Sequence, residues 1–224
     1  MNKILIFFAV SLILSLSSFN TNAQITKKLF FVFLNTNPDK EKISDLEAEK
    51  LQAAHLENIG KLNEEGKLLA AGPFDGGGGM FVLHADDMVQ ASSYLETDQA
   101  IAANRFLIEI FPFNIYNGRI CGASEPYEMV SYQFVRLHTN NENPDALGQA
   151  LLDNRLTMAD LQYKTKKLIV HGKFGDDNDG VLILNVSNPK EADDILSTHP
   201  SIINGQITYE TSTLCIAKGT FCEE

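Results

Sequence analysis

The feature that most constrains this chain is that it repeats itself. Gly66 to Phe74, GKLLAAGPF, returns as KKLIVHGKF from Lys166 to Phe174, an offset of 100 residues. The match continues on either side. Leu34-Asn35-Thr36-Asn37 is echoed by Leu137-His138-Thr139-Asn140, and Phe81 to His84 by Val181 to Leu184. Farther on the offset settles at 101, pairing Thr97-Asp98 with Thr198-His199, Glu109 with Glu210, Gly118 with Gly219 and Cys121 with Cys222. A nearly constant offset over so many elements marks a duplicated unit, so the second copy must fold like the first and pack with it.

The first copy reads as a series of short elements. Lys28 to Asn35, KLFFVFLN, is a β-rich run halted at Asn37-Pro38. Ser44, with Glu47 three places on, opens a helix that closes near Glu65. Leu51, His55, Ile59 and Leu62 fall on one face of that helix, so His55 points inward. Leu68 to Ala71 is apolar and too short for another helix, and reads as a buried strand ending at Gly72. After Gly76 to Gly79 comes the strand Met80 to Leu83, then a helix from Asp86 or Asp87 through Leu95 to about Asp98. The last strand is Arg105 to Phe113, where Pro112 points to a sheet edge or a strand end.

The order β-α-β-β-α-β predicts a ferredoxin-like unit, an antiparallel sheet with both helices on one face. Its other face is left bare, and a second copy is the natural cover. The expected fold is therefore α+β, with repeats at 28–122 and 130–224 packing sheet to sheet. Asn117 to Pro126 reads as an irregular connector, and Pro144 to Lys164 as the long helix of the second copy.

Residues 1–23 stand outside this plan. Lys3, an apolar core from Ile4 to Leu16 and the small-residue end Asn22-Ala23 predict a secretory signal cleaved after Ala23, and hence an exported protein, periplasmic or secreted. No later apolar run is long enough for stable membrane insertion. The formal net charge of −11 becomes more negative once Lys3 is removed, which repels phosphate backbones and excludes nucleic acid as a partner. The three cysteines, Cys121, Cys215 and Cys222, allow one disulfide and one free thiol in an oxidising compartment, without fixing which two pair.

Several residues invite chemical readings. Gly76 to Gly79 lacks the following GK[ST] and helix of a phosphate loop, so a hairpin turn accounts for it better. Asp176 to Gly180, DDNDG, fails the spacing of a calcium loop and reads as an exposed acidic turn. His84, His138 and His171 lack partners at ligand spacing, so no metal is expected. Phe30, Phe31, Phe33, Phe111 and Phe113 fit either an aromatic ligand's pocket or an ordinary core. His55 and Asp98 stand out because the second copy has Arg155 and His199 in their places. They read as a core histidine and a cap for the segment from Gln99 to Asn104, or as an acid–base pair.

The helical His55, Gly72-Pro73 at the end of the second strand, the strand Met80 to Leu83, a helix ending at Asp98 and the closing Phe111-Pro112-Phe113 together resemble the YCII-related (YciI-like) family. The resemblance covers Leu29 to Phe113 and, more faintly, Tyr132 to Leu214. It departs where the family pattern has Asp-Pro: this chain has Asp98-Gln99 in one copy and His199-Pro200 in the other. The resemblance implies a dimeric α/β barrel, here formed by the two repeats within one chain, similar to muconolactone-isomerase-like proteins. It implies His55 as general acid/base, Asp98 as the group that orients its ring, a ligand pocket at Gly72, Pro73 and Phe74, a small-molecule ligand and no cofactor. Two functions stand side by side: a small-molecule lyase or isomerase working in repeat one, and a non-catalytic exported binding or structural protein with a degenerate site.

Overall fold

The computed structural model describes residues 27–123, 125–140, 166–175 and 179–222. The expected leader, the helix expected from Pro144 to Lys164 and most of the turn expected from Asp176 to Gly180 lie outside these residues. Among the described residues no helix is long and apolar enough to cross a membrane.

The first half contains β1 (Lys28–Thr36), α1 (Asp45–Glu64), β2 (Leu68–Pro73), β3 (Gly79–Ala85), α2 (Met88–Leu95), α3 (Gln99–Ala102) and β4 (Phe106–Asn117). The second contains β6 (Met129–Thr139), β7 (Leu168–Phe174), β8 (Gly180–Leu184), α4 (Pro189–Leu196), α5 (Pro200–Ile203) and β9 (Ile207–Ala217). Between them and at the end lie the short strands β5 (Arg119–Ile120) and β10 (Phe221–Cys222).

Eight strands form one antiparallel sheet in the order β2-β3-β1-β4-β7-β8-β6-β9. The order within each half is the same: β2-β3-β1-β4, then β7-β8-β6-β9. The halves join where β4 meets β7, with Phe113 opposite Phe174. The two outer strands also approach, through the antiparallel bridge Phe74↔Leu214 and the Asp75 N–H donating to the Thr213 carbonyl at 2.8 Å. The sheet thereby curls into a barrel, and its edge strands are not left open to other chains.

Two glycines make this closure sterically feasible. A Cβ on Gly72 would sit 2.5 Å from the Cys215 carbonyl oxygen across the β2–β9 seam. A Cβ on Gly172 would fall on the Phe113 ring at the β4–β7 seam. Two glycines 100 residues apart thus permit close approach at both joints.

Among the described residues three apolar clusters form. Phe31, Phe33, Phe113, Phe134, Phe174, Leu214 and Ile216 pack inside the barrel. Phe30, Val32, Phe81 and Leu83 face the helices of the first half, with Leu62 and Leu95, while Val135, Leu137, Leu182 and Leu196 form the corresponding layer of the second. β1 is covered on both faces, and this is why its run from Phe30 to Leu34 is apolar throughout instead of alternating.

The structure corrects two boundaries. β4 continues past Pro112 to Asn117, because pairing with β7 begins only at Phe113 and the proline sits just before that ladder. The connector is not wholly irregular: Ile120 pairs with Phe221 and Arg119 with Cys222, and Cys121 is bonded to Cys222, leaving Cys215 free. Phe221 and Ile120 pack against the barrel interior beside this clasp.

Candidate functional site

α1 begins at the expected cap, where the Glu47 N–H donates to Ser44 Oγ at 3.3 Å and the Ser44 N–H donates back to Glu47 Oε2 at 3.3 Å. The first turns of α1 are exposed. Burial starts at His55 and continues through Asn58 and Leu62, positions that share the face turned to the sheet. The His55 ring lies 5.9 Å from Phe81, nearly parallel to it at 19°, and 5.7 Å from Phe106.

Asp98 reaches this ring from the corner between α2 and α3. It is fully buried, with Oδ2 2.6 Å from His55 Nδ1. Its other oxygen accepts from the N–H groups of Ala100 at 2.9 Å and Ile101 at 3.2 Å, so Asp98 is also the N-cap of α3. The capping role and the pairing role are therefore filled by the two oxygens of one carboxylate. Burial alone pushes the Asp98 carboxyl up, but the hydrogen bond and charge of His55, with the Ile101 and Ala100 N–H groups, hold it below the usual range. Because Nδ1 is engaged, Nε2 is the ring nitrogen left for proton exchange, on a side chain that keeps 11% exposure.

Gly72, Pro73 and Phe74 do not join this pair. Gly72 lies on the seam with β9, Pro73 is exposed, and Phe74 packs in the barrel interior with its ring 4.8 Å from Phe134. His55 lies on the other side of the sheet, in the layer between sheet and helix. Gly76 to Gly78 lie in the turn of the β2–β3 hairpin, with the Gly77 N–H donating to the Phe74 carbonyl, and Gly79 opens β3 opposite Pro73. His171 is buried 5.6 Å from the Tyr116 ring, and His138 Nδ1 lies 3.5 Å from Asp179. Among the described residues no three His, Cys, Asp or Glu side chains are grouped to hold a metal ion.

The counterpart of Asp98 in the second half keeps only the capping role. His199 Nδ1 accepts from the Ser201 N–H at 3.2 Å, which makes His199 the N-cap of α5. Its Nε2 is buried with no partner among the described residues, and burial pushes its pKa down.

Two features escape the sequence pattern. Asn58, one turn from His55, lies 2.9 Å from the Thr97 hydroxyl; its only signal in the sequence is the i, i+3 spacing. Arg136 of β6 reaches Glu109 of β4 through two bonds of 3.0 and 2.9 Å, and its guanidinium lies 4.1 Å from the Phe33 ring. This contact joins strands that are not neighbours in the sheet, so only the closed barrel brings it about.

No family model and no curated protein matches the chain. Solved structures with a similar course include a putative monooxygenase from Fusobacterium nucleatum subsp. nucleatum, at 9% identity and TM-score 0.49, covering 89% of this chain and 95% of that one. Another is an anthrone oxidase-like protein, at 9% identity and TM-score 0.48, covering 87% of this chain and 92% of that one.

Proposed function

We propose that this chain is an exported, tandem YciI-like protein, with units at 28–122 and 130–224, and that its first half carries out proton-transfer chemistry on a small molecule as a lyase or isomerase. The observation that carries the reading is the buried 2.6 Å contact between His55 Nδ1 and Asp98 Oδ2. Asp98 fixes the ring and its tautomer, and Nε2 takes a proton from an acidic C–H or O–H and returns it to a leaving group or a neighbouring carbon. Support for the duplication comes from the matching strand order, from Gly72 and Gly172 at the two seams, and from Asp98 and His199 each capping a short helix.

The specific observation favouring the second reading, a non-catalytic binding protein, is that phenylalanines fill the barrel interior while the second half has a capping histidine where the first has its acid. Ligand co-purified with the mature protein and identified by mass spectrometry supplies the test compound. On the catalytic reading the protein converts it or its close analogues, and His55→Ala abolishes turnover while still folding. Undiminished turnover in that variant removes the proposal, whereas binding without turnover in the wild type selects the second reading.

A further inference from the structure

Asn58 is buried on the same face of α1 as His55, and its amide is only half spent. Its Oδ1 is placed 2.9 Å from Thr97 Oγ1, while its Nδ2 is buried with no partner among the described residues. Thr97 Oγ1 also lies 2.7 Å from the Tyr94 carbonyl. A hydroxyl has one proton, and the carbonyl can only accept it. Both contacts are satisfied when the amide is turned so that its NH2 donates to Thr97 Oγ1, which in turn donates to Tyr94. Among the described residues one amide atom remains unpaired in either orientation, and a buried polar group left so is costly.

The second half shows which part of this arrangement is structural. Thr198, 101 residues after Thr97, makes the same bond, its Oγ1 donating to the Ile195 carbonyl at 2.8 Å. That bond therefore belongs to the ending of this type of helix. What differs is the sequence: 100 residues after His55 and Asn58 it has Arg155 and Met158. The half that lacks the histidine lacks the asparagine too, although it keeps the threonine.

We propose that Asn58, acting through Thr97, is a positioning residue that holds the Asp98 carboxylate against His55 Nδ1. The inference rests on the functional reading of the His55–Asp98 pair. Neighbouring residues on α1, His55 and Asn58, are tied to consecutive residues of the corner, Asp98 and Thr97. The Asn58 tie fixes the corner against α1, and the carboxylate then stays in line with the ring nitrogen instead of swinging with the end of α2. With its Nδ1–H donated to Asp98, the neutral ring presents Nε2 as an acceptor.

The test is a long-range nitrogen–proton spectrum of ¹⁵N-histidine in the mature, disulfide-bonded protein, recorded where the His55 ring is neutral and assigned with His55→Ala. In the wild type the Nδ1–H tautomer of His55 dominates. In Asn58→Leu and in Thr97→Val the ratio of Nδ1–H to Nε2–H falls about three- to tenfold, the size of one ordinary hydrogen bond. Thr97→Ser restores it. Thr198→Val, which loses only the helix-end bond, lowers Tm less than Thr97→Val and leaves His55 unchanged. If Asn58→Leu does not fold, Thr97→Val decides alone. An unchanged ratio in Thr97→Val, with only Tm lowered, overturns the inference. Asp98→Asn separates the two failures: if it leaves the His55 tautomer unmoved, the pair itself is refuted, whereas if it moves the tautomer and Thr97→Val does not, only the role of Asn58 is lost.

Discussion

Asp98 serves two masters, and its two oxygens allow their contributions to be measured separately. In Asp98→Asn an oxygen remains to accept from Ala100 and Ile101, so the cap of α3 survives and the charged bond to His55 is lost. A hydrogen bond to a charged group is worth about 1.5–3 kcal/mol, and a neutral amide facing the ring recovers part of it. The expected cost of Asp98→Asn is therefore about 1–2 kcal/mol. Asp98→Ala removes the cap as well, worth about 1 kcal/mol, and leaves the buried His55 nitrogen unpaired, for a total of about 3–5 kcal/mol. Urea unfolding at neutral pH, with linear extrapolation, reads both values. Because the Asp98 pKa is lowered by folding, its contribution is present in full above the ordinary value of 3.8 and is lost as pH falls through the lower folded value. The gap between wild type and Asp98→Asn should close over that acid range. Equal costs for the two variants, or a cost for Asp98→Ala below about 1 kcal/mol, would refute the reasoning.

Other expectations follow from the same geometry. Gly72→Ala should destabilise by about 1–3 kcal/mol in thermal or urea unfolding, since its Cβ has nowhere to go but into the Cys215 carbonyl, whereas Gly60→Ala meets open space and should not. Thiol titration of the native oxidised protein should find one reactive cysteine, Cys215, and Cys222→Ser should cost about 2–5 kcal/mol because the bond spans 101 residues. Burial lowers the His199 pKa, so the fold resists its protonation and wild type should lose stability against His199→Asn as pH falls below about 6.5, a difference read by Tm across that range.

Much of the site could be read from the sequence because it depends on local periodicity. Helical spacing alone turns His55 inward, and Ser44 with Glu47 fixes where the helix starts. The position of Phe74 was not legible in this way. Leu68 faces the helices and Ala70 the barrel interior, although two residues apart on a regular strand they would share a face; a register irregularity between them reverses the alternation. Ala70 and Phe74 are therefore turned into the barrel, while Ala71 between them stays with the helix layer. The clasp of β5 and β10, the extension of β4 beyond Pro112 and the Arg136–Glu109 contact depend on partners far along the chain, which no local pattern encodes. Asn58 was hidden for another reason: a polar residue on a helix reads as solvent-facing until its neighbour across the layer is known.

On the proposed reading, ligand binds between α1 and the sheet of the first half, beside His55 and Asp98, and not in the phenylalanine-filled barrel. Hydrogen exchange of the protein, with and without any small molecule found to bind it, tests this directly. The account predicts that protection gathers on α1 around His55 and on the segment from Thr97 to Phe106. Protection confined to strands bearing Phe74, Phe111 and Phe134, with α1 unchanged, would contradict it.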